Sequence, residues 1–239
     1  MARTYGQYCG VTTALELVGE RWALLIVRDL LVGPRRYTDL KQGLPRIPTN
    51  ILSTRLKELQ QAGVVRRAHL AHCGLVYELT EFGRGLEDVV LGLGRWGFRA
   101  LGSPEPGEVV TQDSLTMALR TAFRADAAAG LPDTCYEVRL GPVALAVVVE
   151  PAALRIRPLG STRPVDADRA TLPPPDLVFA IGPELRALIA GELSPADAVA
   201  GGVVEVLAGP ASLLDRFATT FHLPAEPGPE VPELLPTLA

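Results

Sequence analysis

The side chains best suited to recognise a partner lie between residues 49 and 62. Leucines recur there at helical spacing and predict a helix with an apolar inner face. Amide, hydroxyl and ammonium groups occupy the opposite face, at Thr49, Asn50, Ser53, Thr54 and Lys57. These groups match the donors and acceptors on base edges in the DNA major groove, which admits one α-helix. The pattern predicts a helix that reads duplex DNA, although a polar face can also be merely solvated.

Cationic residues flank this helix on both sides in the sequence. They are Arg35, Arg36, Lys41, Arg46, Arg66 and Arg67. Guanidinium and ammonium groups bind phosphates, which fixes a protein's register on DNA and makes its affinity salt-dependent. Residues 1–100 hold 14 Lys or Arg against 9 Asp or Glu, whereas the other 139 hold 9 against 18. The positive charge is therefore concentrated where the reading helix is predicted, despite a net charge of -4.

The elements that must position this helix follow from apolar spacing and from Gly and Pro breaks. Three helices are predicted before the reading helix, and a hairpin and one more helix are predicted after it. The last helix is marked by Leu86, Val89, Val90 and Leu93. The predicted bounds are Val11–Val18, Arg21–Val32 and Tyr37–Gln42, with the reading helix at Thr49–Ala62 and strands at Val64–Ala68 and Leu75–Leu79. This order is typical of a winged helix-turn-helix domain.

Five short motifs within this layout are more specific in combination than any one of them is alone. They are Gly-Glu-Arg-Trp at residues 19–22, Arg-Tyr-Thr-Asp-Leu at 36–40, the run 47–59, Gly-Val-Val at 63–65 and Tyr-Glu-Leu-Thr-Glu-Phe-Gly at 77–83. With them, residues 9–96 resemble the HxlR-type regulators, a branch of the winged-helix repressors. The resemblance implies a homodimer formed through the first and last helices, with two reading helices in successive major grooves. The family often has Pro and an acid before Tyr77, where this chain has residues 73–76, Cys-Gly-Leu-Val.

The second half of the chain is predicted to be a separate α+β domain. The DNA-binding and dimerisation domain is expected at residues 1–102 and a Pro- and Gly-rich linker at 103–112. The second domain is expected at 113–223 and a Pro-rich tail, without ordered structure, at 224–239. Residues 176–221 resemble the sterol-carrier-protein type of lipid-binding domain. That resemblance implies an apolar cavity walled by Phe179, Leu185, Leu188, Ile189, Val199 and Phe217. The same side chains could also be ordinary core, and some such domains serve only in dimerisation.

Two groups of Cys and His residues leave alternatives open. Cys9 is at a position where some members of the HxlR family sense oxidants, and the alternative is a plain N-terminal thiol. His69, His72 and Cys73 are zinc-ligand types, but the local sequence lacks a fourth ligand, so wing residues near phosphate are the preferred interpretation. We expect no metal site and no cofactor.

The function predicted from these features is a transcriptional regulator, and not an enzyme. It should bind an inverted-repeat operator as a homodimer and respond to an apolar small molecule in its second domain. The second half of the chain holds no Gly-rich phosphate loop or nucleophile elbow. No apolar run in the sequence is long enough for a membrane helix, so a cytoplasmic protein is expected. The alternative is a lipid or small-molecule carrier whose basic domain serves only in assembly.

Overall fold

The structure is a computed structural model that describes residues 4–71, 74–151, 153–160 and 172–224. The described residues divide into two compact units, the first within residues 4–90 and the second from residue 91 onward. His72, Cys73 and the predicted tail after Pro224 lie outside the described residues. The predicted domain limits at residues 102, 113 and 223 stay predictions.

The first unit has the predicted order of elements. Its helices and strands are α1 (Gly10–Val18), α2 (Ala23–Val32), α3 (Tyr37–Gly43), α4 (Thr49–Gln61), β1 (Val65–Leu70), β2 (Gly74–Leu79), α5 (Glu81–Arg84) and the start of α6 (Glu87–Phe98). Strands β1 and β2 pair antiparallel, from Val65 opposite Leu79 to Leu70 opposite Gly74. The winged helix-turn-helix prediction is confirmed, and the short helix α5 is an addition to it.

The core of the first unit collects apolar side chains from every long helix before the wing. Ile26 of α2, Leu40 of α3 and Leu52 of α4 are fully buried, and Leu56 is 2% exposed. Burying each such side chain contributes about 1.5 to 3 kcal/mol. The leucine stripe of α4 thus fixes which face of that helix is left for a partner.

The turn between α1 and α2 is more constrained than the sequence suggested. A Cβ at Gly19 would lie 2.4 Å from the carbonyl oxygen of Leu15, so only glycine fits there. Trp22 has φ of 80°, in the left-handed region that side chains rarely adopt. Helix α2 therefore begins at Ala23, and the predicted start at Arg21 is wrong.

The second unit is built on one mixed sheet. After α7 (Gln112–Ala122) and α8 (Ala125–Ala128), its elements are β3 (Thr134–Leu140), β4 (Val143–Glu150), β5 (Ala153–Pro158), β6 (Leu177–Ile181), α9 (Leu185–Ala190), α10 (Pro195–Ala200), β7 (Val204–Ala208) and α11 (Leu213–Thr220). The strand order is β5-β4-β3-β6-β7, with β3 and β6 parallel and the other pairs antiparallel. The α+β prediction is confirmed as mixed content, whereas the sterol-carrier-like fold stays a prediction.

One predicted helix of the second unit is divided. The sequence pattern predicts one helix from residue 113 to about 129. In the structure α7 ends at Ala122 because Phe123 is extended, with φ of -64° and ψ of 130°. Phe123 forms an isolated antiparallel bridge with Phe221, and the two rings lie 6.0 Å apart. Pairing with the end of α11 has overridden the helical pattern, which local periodicity could not foresee.

Aromatic rings fill the interior of the second unit. Phe217 of α11 packs edge-on against Tyr136 of β3 and Phe179 of β6, with ring centroids 5.3 and 5.2 Å apart. All three side chains are fully buried. Edge-to-face pairs add about 0.5 to 1.5 kcal/mol beyond the area they bury. This ring cluster joins α11 to the middle of the sheet.

Candidate nucleic-acid interface

Helix α4 presents the predicted polar side chains together on one exposed face. Its leucines at 52, 56 and 59 are buried, and the side chains opposite them are exposed. The exposed residues are Thr49, Asn50, Ser53, Thr54 and Lys57. The arrangement can donate and accept hydrogen bonds across a groove, which base reading requires.

Two hydroxyls on this face are already used as donors. Ser53 Oγ donates to the carbonyl oxygen of Thr49 at 3.0 Å, and Thr54 Oγ1 donates to that of Asn50 at 2.9 Å. In this state their oxygens remain available as acceptors, which suits the amino groups of adenine and cytosine. Asn50 carries both a donor and an acceptor and can make a bidentate contact with adenine.

Tyr37 is a residue of this surface that the sequence analysis did not assign. Its hydroxyl donates to the carbonyl oxygen of Thr49 at 2.9 Å and lies 3.2 Å from Ser53 Oγ. The phenol therefore ties the first turn of α4 to the start of α3. The signal in the sequence was a tyrosine directly after Arg36 at the start of a short helix, although a core aromatic gives the same signal.

Lys41 stabilises the loop that precedes α4. Its Nζ donates to the carbonyl oxygens of Ile47 at 2.6 Å and Pro45 at 3.2 Å. These bonds hold the loop that leads into the helix. Lys41 was predicted to bind DNA, but in this conformation its ammonium group is engaged with the protein backbone.

Arg35 has to be removed from the predicted phosphate-binding residues. It is only 3% exposed, and its Nη1 donates to the carbonyl oxygen of Pro34 at 2.8 Å. Its backbone also forms an isolated antiparallel bridge with Tyr77 of β2, with N–H to carbonyl oxygen distances of 2.9 and 2.7 Å. A guanidinium group buried in this way cannot reach a phosphate, so its role is structural.

The other predicted phosphate-binding arginines are at least partly exposed: Arg36 is half-buried, and Arg46, Arg66 and Arg67 are exposed. Arg36 precedes α3 with a side chain 39% exposed, 3.9 Å from Asp39. Arg66 on β1 is 63% exposed and forms an ion pair with Glu78 at 2.7 Å. Arg67 is exposed, and its guanidinium carbon lies 5.7 Å from the centre of the Tyr77 ring. Arg36, Arg66 and Arg67 precede or follow α4 along the chain, and each keeps part of its side chain accessible.

Cys9 is exposed at the N-cap position of α1, where its side chain makes no capping hydrogen bond. The nearby backbone N–H groups of Thr12 and Val11, at the start of the helix, lower the pKa of its thiol. A lowered pKa increases the fraction of reactive thiolate at neutral pH. His69 is also exposed, and no group of three or more metal-ligand side chains occurs among the described residues.

Two helices leave apolar side chains exposed. On α6, Val89 is 49%, Leu93 46% and Trp96 73% exposed, while Leu86 and Val90 pack partly against the first core. Near and on α1, the exposed apolar side chains are Tyr8, Val11 and Leu15. Exposed apolar patches of this kind are typical of protein contacts.

The predicted ligand-binding residues fall into two groups. Five of them, Phe179, Leu185, Leu188, Ile189 and Phe217, belong to the buried core of the second unit. Val199 does not, because it is 37% exposed at the end of α10, and the prediction that it lines an interior wall is wrong.

The helices of the described residues were also compared with the length and hydropathy that a membrane span requires, and none of them meets both.

Comparison with known proteins bears on the first unit. The family described as HxlR-like helix-turn-helix matches residues 17–104. The uncharacterised HTH-type transcriptional regulator YdeP of Bacillus subtilis is 34% identical over 91 residues, which are 37% of this chain and 71% of YdeP. The HTH-type transcriptional regulator YodB of the same bacterium is 34% identical over 103 residues, 42% of this chain and 89% of YodB. A solved structure described as the redox regulator HypR in its oxidised form is 33% identical and covers 37% of this chain and 94% of HypR, with a TM-score of 0.35.

Proposed function

This chain belongs to the HxlR-like helix-turn-helix family, and from that membership we propose that it regulates transcription by binding duplex DNA as a homodimer. The observation that carries the proposal is the exposed polar face of α4, whose opposite face is buried as a leucine stripe. Asn50, Ser53 and Thr54 contact base edges, and Thr49 and Lys57 contact bases or the backbone. Arg36, Arg66 and Arg67 contact phosphates.

Selection of duplexes from a randomised pool tests this proposal. A dimer with two equivalent reading helices should select an inverted repeat with half-sites about 10 base pairs apart, or a multiple of that spacing. Enrichment of no sequence by the purified full chain would contradict specific recognition. It would instead favour a carrier in which the first unit serves only in assembly.

The homodimer is proposed to form partly through α6. Val89, Leu93 and Trp96 expose apolar area that a second copy would cover. Replacing Trp96 with Glu should shift the protein toward the monomer in light scattering, because burying an unpaired charge in an interface is costly. A wild-type protein that is monomeric at micromolar concentration, with or without DNA, would contradict the dimer.

A redox response through Cys9 is a second proposal. Relatives of this chain include a redox regulator, HypR, and YodB, whose solved structures include quinone-bound and diamide-treated forms. The exposed thiol of Cys9 and its lowered pKa suit the same chemistry. Hydrogen peroxide, which oxidises a single thiolate to a sulfenic acid and is itself reduced to water, should lower the operator affinity of the wild type and leave that of Cys9→Ser unchanged. A Cys135→Ser variant is the control, since burial raises the pKa of the Cys135 thiol.

The second unit is proposed to bind an apolar effector that alters DNA affinity. The support is its enclosed apolar interior and its resemblance to sterol-carrier-like domains, with Phe179, Leu185, Leu188, Ile189 and Phe217 as the wall. By linkage, DNA must shift ligand affinity by the same factor, typically about 5- to 150-fold. Thermal-shift screening of fatty acids, sterols and polyketide-like compounds, with and without operator, tests this. Binding that leaves DNA affinity unchanged would reduce the unit to an assembly role.

A further inference from the structure

Arg55 is a cation of α4 that the proposed interface does not use. Its side chain is only 14% exposed, and its Nη2 forms an ion pair with Glu20 Oε2 at 3.0 Å. Its Nη1 pairs with Glu58, one turn further along the same helix. The guanidinium group therefore links α4 to the turn between α1 and α2, where Glu20 lies.

The backbone of that turn is constrained at Gly19 and at Trp22. Gly19 leaves no room for a Cβ, because that atom would lie 2.4 Å from the carbonyl oxygen of Leu15. Trp22 holds a left-handed backbone, and the Arg21 guanidinium carbon lies 5.3 Å from the centre of its ring. The backbone at Glu20 is thus constrained on both sides, and its carboxylate holds Arg55 from a defined position.

The position of Arg55 makes this restraint relevant to DNA. Arg55 lies at the border between the leucine stripe and the exposed face, about 100° around the helix from Thr54, and its side chain is partly accessible. An arginine released there could extend toward the DNA backbone. Phosphate contacts carry no direct sequence information, so one more of them strengthens binding to every duplex and dilutes selectivity.

We propose that Glu20 is a specificity-determining residue that holds Arg55 away from the DNA backbone and fixes the setting of α4. The inference rests on the proposed function of sequence-specific DNA binding. Charge-assisted pairs of this kind have defined geometry, so one carboxylate performs both tasks. Neutralising Glu20 should favour non-specific DNA, although the residue itself makes no contact with it.

The test compares Glu20→Gln with the wild type on two duplexes, one selected by the wild type from a randomised pool and one of scrambled sequence. The variant should bind the scrambled duplex more tightly and lose part of its preference for the selected one. The slope of log affinity against log salt should steepen by about 0.9, the value for one added phosphate contact. The double variant Glu20→Gln/Arg55→Met should return to the wild-type slope.

Two single variants complete the design. Glu58→Gln makes the same charge change beside the same guanidinium but leaves the link to Glu20, so its slope should stay close to that of the wild type. Arg55→Met should also keep the wild-type slope, because the guanidinium does not bind phosphate in the native arrangement. Thermal melting establishes that each variant is folded.

Three results would overturn the proposal. They are an unchanged slope and preference in Glu20→Gln, an equal effect of Glu58→Gln, and a shallower slope in Arg55→Met, which would mean that Arg55 already binds phosphate. A wild-type protein that prefers no duplex would overturn the proposed function as well. Normal wild-type selection with any of the three results would overturn only the role of Glu20.

Discussion

The exposed face of α4 and the interior of the second unit are the two proposed binding regions, and they differ in exposure and polarity. The first offers polar groups that remain accessible to a partner, because only the opposite face of the helix contributes to the core. The second offers apolar rings that already contact each other, as Phe217 does with Tyr136 and Phe179. Exposure therefore supports a recognition role for the face of α4. In the second unit, burial does not distinguish a ligand-binding wall from an ordinary core.

The largest expected effect is on the stability of the second unit, where a buried and an exposed side chain can be compared. Phe217→Ala removes the ring at the centre of the second core and should lower the free energy of unfolding by about 3 to 5 kcal/mol. Val199→Ala, at an exposed position in the same unit, should change it by less than about 0.5 kcal/mol. Urea unfolding measures both. A small effect of Phe217→Ala would indicate a loosely filled interior and strengthen the case for a ligand cavity.

Alkaline pH should probe the same interior through Tyr136. Burial raises the pKa of its phenol to about 12, compared with about 10 for an exposed tyrosine. Between these values the unfolded chain ionises and the folded one does not, so unfolding releases a proton and stability falls as pH rises. The loss attributable to this group should reach about 2 to 3 kcal/mol near pH 12 and be absent below pH 10.

The control for this titration is Tyr136→Phe, which keeps the ring and removes the ionisable group. Its unfolding free energy should decline less steeply between pH 10 and 12 than that of the wild type. Equal slopes in the two proteins would mean that the phenol is hydrated in the folded state and that the interior admits water.

Within the first unit, Arg35 and Arg67 should behave differently despite their similar chemistry. Arg35→Met removes a buried donor and should cost about 1 to 3 kcal/mol of stability. Arg67→Met should leave stability nearly unchanged and make the salt dependence of DNA binding shallower by about 0.9 in log-log slope. Urea unfolding and binding titrations separate the two effects. A stable Arg35→Met protein with a shallower slope would restore Arg35 to the interface.

Local patterns predicted most of the fold because they coincide with what the core requires. The leucines of α4 at residues 52, 56 and 59 gave both the helix and its exposed face. The patterns failed where distant parts of the chain meet. The extended Phe123 depends on its bridge to Phe221, and the burial of Arg35 depends on its pairing with Tyr77.

The candidate site was predictable in its residue types but not in its internal bonds. Sequence spacing placed Asn50, Ser53 and Thr54 on one face, as the structure does. It could not show that Tyr37 holds the first turn of α4 or that Lys41 bonds to the loop before it. Those contacts join residues whose side-chain directions are set by the packing of α3 against its neighbours, which spacing along one helix does not encode.

The central claim is that the exposed face of α4 reads base edges. Its most direct test is to determine the preferred duplexes of the wild type and of Asn50→Ala from the same randomised pool. The variant should lose preference at one symmetric pair of positions, by about 1 to 3 kcal/mol, and keep the rest of the inverted repeat. An identical preference in both proteins, or a uniform loss at every position, would contradict base reading by this face.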